Sequence, residues 1–329
     1  MRVLVVKLSS LGDLFHALPA VAQVRQALGA ELDWVVNEPY VELVRRFEPV
    51  HRVIGFPRKN FLSRADLFLE HLRRDKYDYV FDMQGLMKSA LVAKAARADR
   101  RIGPSFHREG SRLFYDAVTG PSNKDRHAVD ENFDLLNYLK IPRGPVTFPV
   151  EFDRPEGLPS GKPLIALLPC SRWDTKNWPP AHFITLAQML HEHAHLYIFG
   201  AREDHDTCRY IAEKTGSGIT NMCGRTSMIE LGGWLSVMDL AITVDSGPMH
   251  IAAAAGTTVL ALFGPTDHRR TGPYGDRHLV LHRDDLACRP CLSRKCRLKE
   301  KDIRCLGGLS PEHVAKNALE LLAKKRGIR

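Results

Sequence analysis

The chain has 329 residues, of which 44% are hydrophobic and 26% are charged, and its formal charge is +9 with an isoelectric point near 9.2. A chain of this length exceeds the usual limit for one hydrophobic core, so two domains are expected. No run approaches the roughly 20 apolar residues of a membrane-spanning helix, and the short N-terminal apolar stretch is not typical of a signal peptide. We therefore expect a cytoplasmic protein in a reducing compartment.

The chain begins with an apolar, β-branched run, Val3–Val6, which predicts a buried parallel strand. Two serines, a glycine and an acid follow, and apolar residues at helical spacing then predict a helix over Leu14–Leu28. A strand that enters a helix through a short turn puts that turn at the carboxyl edge of a sheet, where ligands bind in open α/β folds. Asp13 lies in this turn and is a candidate general base. The alternative is that it only balances the positive end of the helix.

Short apolar strands alternate with helical stretches through the first half of the chain. The predicted strands are Val3–Val6, Leu32–Val36, Arg52–Ile54 and Tyr79–Asp82, and the predicted helices are Leu14–Leu28, Pro39–Phe47, Arg64–Arg74, Leu86–Ala96 and Val129–Leu139. This alternation is typical of a parallel sheet covered by helices. Residues 141–163 are rich in Pro and Gly and indicate an interdomain linker, so we place the domain boundary between residues 152 and 153.

The same alternation restarts in the second half. The predicted strands are Leu164–Leu168, Leu196–Phe199, Leu240–Val244 and Thr258–Phe263, and the predicted helices are Pro180–Ala194, Thr207–Thr215, Ser227–Val237, Met249–Ala255 and a terminal helix after Pro311. Two successive α/β halves predict two sheets that face a cleft.

A polar turn, Asp245–Gly247, separates the strand that ends at Val244 from a helix of small residues that begins near Met249. The free N–H groups and the positive dipole at such a helix start suit a phosphate or a diphosphate. The alternatives are that Asp245 is a simple helix N-cap and that His250 is a structural histidine.

Lys176 lies in the loop after the first strand of the second half and is expected at the same sheet edge. There it could neutralise a leaving phosphate; the alternative is a solvent-exposed lysine. The loop after Phe263 again carries glycines and polar residues, which fits a nucleotide-diphosphate site. Neither this loop nor the Asp245–Gly247 turn has the Walker A or the dinucleotide glycine pattern.

Much of the basic excess is clustered. The clusters are Arg58–Lys59 with Arg64, Arg73–Arg74, Arg97 with Arg100–Arg101, Arg108 with Arg112, and Arg269–Arg270. Such clusters attract nucleic acid, anionic lipid or phosphorylated ligands, or else form an ordinary solvated face. Because the aromatic and basic interleaving of single-strand binders is missing, we expect no nucleic-acid partner.

Four of the seven cysteines, Cys288, Cys291, Cys296 and Cys305, fall close together near the C-terminus. Four thiolates at these spacings could hold a structural metal, Zn or Fe. Reduced thiols that pack a loop, and disulfides, are the alternatives left open by the sequence.

Five segments, taken in order, resemble the ADP-heptose:lipopolysaccharide heptosyltransferase family, glycosyltransferase family 9. The segments are Lys7–Asp13, Asp82–Ser89, Thr175–Pro179, Val244–His250, and Phe263–Asp267 with Gly272–Gly275. The resemblance implies an α/β GT-B fold, in which two Rossmann-like domains have parallel sheets facing a central cleft. It implies an acceptor-binding domain over residues 1–152. It also implies an ADP-sugar-binding domain over residues 153–329, with the cysteine cluster and the terminal helix.

The resemblance also implies a reaction and its residues. Asp13 would deprotonate an acceptor hydroxyl in a single inverting displacement at the anomeric carbon of L-glycero-D-manno-heptose, and Lys176 would stabilise the departing ADP. The implied donor-binding residues are Ser10, Gly12, Thr175, Asp204, Asp245, Ser246, Gly247 and His250, with Glu203 as the alternative to Asp204. The implied acceptor-binding residues are Lys7, Arg58, Lys59, Arg64, Gln84 and Arg108. No cofactor is required for this chemistry.

The implied partners are ADP-heptose, a lipid A–Kdo acceptor and an anionic membrane surface. They place a monomeric enzyme peripherally on the cytoplasmic face of the inner membrane. The first two segments favour a heptosyltransferase I acting on Kdo, whereas the cysteine-bearing tail is more like heptosyltransferase II and protein O-heptosyltransferases. A different class, a non-catalytic basic module that binds nucleic acid or lipid, is the competing hypothesis.

Overall fold

The computed structural model describes residues 1–121, 125–298 and 303–325, and it divides the chain into two compact units, Met1–Glu151 and Phe152–Arg329. No helix within the described ranges has the length and apolar character needed to cross a membrane.

The first unit is a six-stranded parallel sheet with helices on its faces. Its strands are β1 (Arg2–Val6), β2 (Glu31–Asn37), β3 (Arg52–Phe56), β4 (Tyr77–Asp82), β5 (Ala98–Pro104) and β6 (Ala117–Thr119). Its helices are α1 (Leu11–Leu28), α2 (Val41–Val44), α3 (Phe61–Arg73), α4 (Met87–Ala95), α5 (Ala128–Asn132) and α6 (Asp134–Tyr138), with 3₁₀ turns at Glu38–Tyr40 and Ser111–Phe114. The strand order is β3-β2-β1-β4-β5-β6, and residues 3–6 of β1 are fully buried, as a strand covered on both faces requires.

The second unit repeats this architecture. Its strands are β7 (Leu164–Leu168), β8 (His195–Ile198), β9 (Ile219–Asn221), β10 (Leu240–Val244), β11 (Thr258–Leu262) and β12 (Leu279–Leu281). Its helices are α7 (Pro180–Leu190), α8 (His205–Thr215), α9 (Met228–Ser236), α10 (Gly247–Ala254), α11 (His268–Thr271), α12 (Arg304–Gly307) and α13 (Pro311–Lys325), with 3₁₀ turns at Asp174–Lys176 and Arg202–Asp204. Its strand order is β12-β11-β10-β7-β8-β9. Read from the β9 edge, this is the same order as in the first unit.

The predicted α/β class with two parallel sheets is confirmed. Four strands, β5, β6, β9 and β12, were not predicted. The predicted helix Pro39–Phe47 is wrong in length, because only a 3₁₀ turn and the four residues of α2 are helical. The predicted helix Val129–Leu139 is two short helices, α5 and α6.

Each sheet has one point where the strand order reverses, and this point positions the site. In the first unit it lies between β1 and β4, and in the second between β7 and β10. Loops that leave two such neighbouring strands run in opposite directions over the sheet, so a crevice opens between them at the carboxyl ends. The loops after β1 and β4, and those after β7 and β10, carry most of the residues singled out from the sequence.

A buried histidine makes the stability of the second unit sensitive to acid. Burial lowers the pKa of His278 to about 4, and its Nδ1 accepts a hydrogen bond from the Val259 N–H at 3.1 Å. Because the pKa of the folded state lies below the unfolded value near 6.5, stability is full above pH 6.5 and falls as the pH decreases towards 4, by at most about 3 kcal/mol. Urea titrations at a series of pH values should show this loss.

The matched control is His278→Asn, since the asparagine carbonyl can accept the same N–H but does not titrate. This variant should lose less stability than the wild type between pH 6.5 and pH 4. Parallel stability curves for the two proteins would show that His278 is not the titrating group.

Candidate active site

At the first reversal point, the turn after β1 is closed by Asp13. Ser10 is the N-cap of α1, and Asp13 is the third residue of the helix. Its Oδ2 accepts hydrogen bonds from the Ser10 N–H at 2.8 Å and from the Ser10 hydroxyl at 2.7 Å. The carboxylate therefore fixes the start of α1 in the manner of a capping box. Its place in the first turn of α1 also agrees with the alternative considered from the sequence, in which Asp13 balances the positive end of the helix.

This capping role leaves part of the carboxylate accessible. The Asp13 side chain is 42% exposed, and its Oδ1 lies 3.9 Å from Nδ1 of the buried His16. Gly12 precedes it and is buried. One oxygen of Asp13 is thus held by Ser10, while the side chain still reaches solvent at the carboxyl edge of the sheet. Both a cap and a proton acceptor are compatible with this geometry.

Lys7 and Gln84, both proposed acceptor ligands, join the loops after β1 and β4. The Lys7 ammonium is buried and donates to the Met83 carbonyl at 2.6 Å. The Gln84 side-chain oxygen accepts from the backbone N–H groups of Leu8 and Ser9, both at 3.2 Å. These contacts hold the turn that carries Asp13, so in this structure both side chains position the site.

Behind Gln84, a buried carboxyl organises the second loop. Asp82 accepts from the Gln84 and Gly85 N–H groups through Oδ1, at 2.8 and 3.0 Å, and from the Tyr115 hydroxyl through Oδ2 at 2.6 Å. Burial raises the pKa of Asp82, and burial also raises that of Tyr115. In the sequence, Asp82 was identified only as the first residue of the segment Asp82–Ser89. No sequence pattern indicated a role for Tyr115.

The basic residues proposed for the acceptor lie in two segments of the same unit, one that runs from the β3–α3 loop into α3 and one after β5. Arg58 and Lys59 are exposed between β3 and α3, and the half-exposed Arg64 pairs with Glu38. Arg108 is exposed after β5, and its backbone N–H donates to the Gly85 carbonyl, next to Gln84. Arg108 is thus tied to the reversal point, whereas the other three belong to the edge of the sheet.

At the second reversal point, Lys176 and Asp245 form an ion pair. The Lys176 Nζ lies 2.7 Å from Asp245 Oδ2, and the two side chains are 17% and 7% exposed. The Thr266 hydroxyl donates to the same carboxylate oxygen at 2.6 Å. The solvent-lysine alternative is therefore wrong, because the ammonium is held between the loops that follow β7 and β10.

The start of α10 offers unused donors beside this ion pair. Ser246 is the N-cap, and its hydroxyl is buried without a hydrogen-bond partner among the described residues. Gly247 opens the helix and allows a close backbone approach, and Pro248 follows it and has no N–H to donate. His250 is buried on the same helix. A diphosphate would complete the hydrogen bonding of such an end.

The cysteine-bearing tail supplies side chains that the sequence did not indicate. Arg289 donates to the carbonyls of Gly264 and Arg283, at 2.5 and 2.6 Å, and the Thr175 hydroxyl donates to the Ser293 carbonyl at 2.9 Å. The Arg294 guanidinium lies 5.0 Å from the Trp173 ring centroid, and the Lys176 ammonium lies 4.6 Å from the same centroid. The tail therefore packs against the loop that presents Lys176.

Asp204 follows β8, in the 3₁₀ turn before α8. Its Oδ2 accepts from the Ala201 N–H at 2.8 Å, which closes the turn before α8, while Glu203 is exposed. Asp204 acts here as a turn residue, and Glu203 has the freer side chain.

The described residues do not form a metal centre. Nowhere in residues 1–121, 125–298 and 303–325 do three or more His, Cys, Asp or Glu side chains come together in a way that could hold a metal ion. Cys288, Cys291, Cys296 and Cys305 are free thiols, and burial raises the pKa of Cys305. The four-thiolate metal site considered from the sequence is not supported. The tail is instead held by Arg289 and by Leu306, which is fully buried.

Comparison with known proteins identifies relatives over the whole chain. A family model described as "Glycosyltransferase family 9 (heptosyltransferase)" matches residues 67–302. Lipopolysaccharide heptosyltransferase 1 of Pseudomonas aeruginosa is 31% identical, and the alignment covers 100% of both chains.

Solved structures give the same relationship. The E. coli heptosyltransferase WaaC with ADP is 25% identical and superposes with a TM-score of 0.81, covering 98% of this chain and 100% of that one. The structure of WaaC with ADP-2-deoxy-2-fluoro heptose, also 25% identical, gives a TM-score of 0.79 and covers 97% and 99%. These matches confirm the GT-B fold expected from the sequence.

Proposed function

Because the chain belongs to glycosyltransferase family 9, the heptosyltransferases, we propose that it transfers L-glycero-D-manno-heptose from ADP-heptose to Kdo in the lipopolysaccharide inner core. The observation that carries this proposal is the full-length similarity to a lipopolysaccharide heptosyltransferase 1, together with an acid at one reversal point and an ion-paired lysine at the other. The alignment with this relative spans the whole chain, and this supports Kdo over heptose or a protein hydroxyl as the acceptor.

On the acceptor side, Asp13 is the proposed general base. The acceptor hydroxyl loses its proton to the Asp13 carboxylate while its oxygen forms a bond to the anomeric carbon of heptose. The bond from that carbon to the ADP oxygen breaks in the same step. One displacement of this kind inverts the configuration at the anomeric carbon. Lys7 and Gln84 contribute by holding the turn in place.

On the donor side, the departing diphosphate gains negative charge. The N–H groups at the start of α10 and the Ser246 hydroxyl are preorganised donors for it, and Lys176 supplies a positive charge. Asp245, whose carboxylate accepts from the Thr266 hydroxyl, would fix the ammonium of Lys176. Thr175 lies in the 3₁₀ turn that carries Lys176, and Gly247 and His250 lie in α10. Ser10, Gly12 and either Asp204 or Glu203 complete the proposed donor ligands.

Because the proposed acceptor is an anionic lipid, the basic residues of the first unit can bind it. Arg58, Lys59, Arg64 and Arg108 are proposed to meet acceptor carboxylates and lipid A phosphates. The enzyme is proposed to act as a monomer, bound peripherally to an anionic membrane at the cytoplasmic face of the inner membrane.

Purified protein should release ADP from ADP-heptose when Kdo2-lipid A is present, because Kdo offers the hydroxyl that Asp13 deprotonates. ADP release is followed by a coupled assay, and the product is identified by mass spectrometry. The comparison substrates are heptosyl-Kdo2-lipid A and unmodified protein acceptors. Faster turnover on either of these would assign a heptosyltransferase II or a protein O-heptosyltransferase, and no ADP release with any acceptor would contradict transfer altogether.

A further inference from the structure

Two leucines in the first unit are almost fully exposed, one at the start of a helix and one in a 3₁₀ turn. Leu62, in the first turn of α3, is 94% exposed, and Leu113, in the 3₁₀ turn after β5, is 86% exposed. These are the highest exposures of any large hydrophobic side chain in the described residues. Single exposed apolar side chains are common on protein surfaces, so the residues around these two leucines decide whether they have a function.

A series of contacts links the two segments in which these leucines lie. The Phe61 and Phe56 rings stack at 5.5 Å, and the Lys88 ammonium lies 5.9 Å from the Phe56 ring centroid. Next to Lys88, the Met87 N–H donates to Glu109 Oε2 at 3.1 Å. The segments Arg58–Leu62, Met87–Lys88 and Arg108–Leu113 therefore adjoin, and we name them together the leucine–arginine face.

Charge identifies the kind of partner. The face carries five exposed cations, Arg58, Lys59, Lys88, Arg108 and Arg112, and one carboxylate, Glu109. Protein interfaces are depleted of lysine and have a contiguous apolar centre, which two separate leucines among cations do not provide. Isolated apolar side chains surrounded by Lys and Arg suit the headgroup region of an anionic bilayer, where the leucines enter the acyl boundary and the cations meet phosphates.

We propose that the leucine–arginine face docks the protein on an anionic phospholipid bilayer, with Leu62 and Leu113 inserted into it. This inference rests on the proposed function, because docking on a bilayer would bring the enzyme to a lipid-linked acceptor. The basic residues alone would attract the protein electrostatically. Insertion of the leucines adds an apolar contribution to the free energy of binding, which salt does not screen.

The test uses the full chain and co-sedimentation with vesicles, either phosphatidylcholine alone or phosphatidylcholine with phosphatidylglycerol. Wild-type protein should bind only the anionic vesicles. Leu62→Ser and Leu113→Ser should each lower the partition coefficient by about tenfold. Burial of one leucine side chain in an apolar phase changes such an equilibrium by roughly tenfold or more. Part of the wild-type binding should persist at high salt and be lost in the double variant.

Leu67→Ser is the matched control, because Leu67 is 48% exposed on the same helix but lies about 140° further round it. It should bind vesicles like the wild type. Equal binding by wild type and the double variant would overturn the proposal. A changed molecular mass of the double variant in solution, with vesicle binding retained, would also overturn it and would assign the face to a protein interface.

Activity separates this proposal from the proposed function. On a deacylated, water-soluble acceptor, the two leucine variants should turn over at the wild-type rate. On the same acceptor embedded with its acyl chains in anionic vesicles, they should be slower. A wild-type protein that binds the vesicles but transfers no heptose would leave the docking face standing and would contradict the proposed function alone.

Discussion

Asp13→Asn is expected to lower kcat by about 10²- to 10⁴-fold, the usual contribution of a general base. Asparagine matches aspartate in size, and its carbonyl oxygen can still accept from the Ser10 N–H and hydroxyl, as Asp13 Oδ2 does. The variant therefore keeps the cap of α1 but cannot take up the acceptor proton. Steady-state kinetics with ADP-heptose and Kdo2-lipid A measure the change.

Two controls separate catalysis from folding. The Asp13→Asn variant should unfold at nearly the wild-type temperature and bind ADP with unchanged affinity, because the donor phosphates are assigned to the second unit. Ser10→Ala removes one hydroxyl donor to the carboxylate and should cost about 1 kcal/mol of stability. Because Ser10 is also a proposed donor ligand, this variant should raise KM for ADP-heptose while kcat falls far less than in Asp13→Asn. Near-normal turnover by Asp13→Asn would mean that the carboxylate serves only as a helix cap.

The turns that carry Asp13 and Asp245 could be predicted because they depend on local sequence. A β-branched run, a Ser/Gly turn and a helical repeat lie within about 25 residues in each case, so strand, turn and helix follow from periodicity alone. The strands that were missed lack this signal. β5 contains Asp99 and Arg100 in its exposed half, and β6, β9 and β12 have three residues each.

The contacts inside the site could not be predicted, since they join distant parts of the chain. Thr175 meets Ser293 across 118 positions, and Gln84 meets the turn after β1 across 76. Sequence placed Lys176 and Asp245 at one sheet edge but gave no reason to pair them. The cysteine spacing suggested a metal, whereas the tail is anchored by Arg289 on the Gly264 carbonyl, a contact without any spacing pattern.

Lys176→Met should lower both stability and turnover, and the two effects can be separated. Removing the ammonium leaves the buried Asp245 carboxylate with Thr266 as its recorded partner, at a cost of about 3–5 kcal/mol. Loss of the charge beside the leaving diphosphate should reduce kcat by a further 10²- to 10³-fold, as for other preorganised electrostatic groups. Thermal unfolding and steady-state kinetics measure the two effects.

The double variant Lys176→Met/Asp245→Asn decides which effect belongs to catalysis. A neutral asparagine can still accept from the Thr266 hydroxyl, so the buried charge disappears and most of the lost stability should return. Turnover should stay low, because the diphosphate still lacks its cation, and Asp245→Asn alone sets the baseline for the change at that position. If the double variant matched this baseline, Lys176 would be only the counter-ion of Asp245, and the stabilisation of ADP would rest on the Ser246 hydroxyl and the N–H groups at the start of α10.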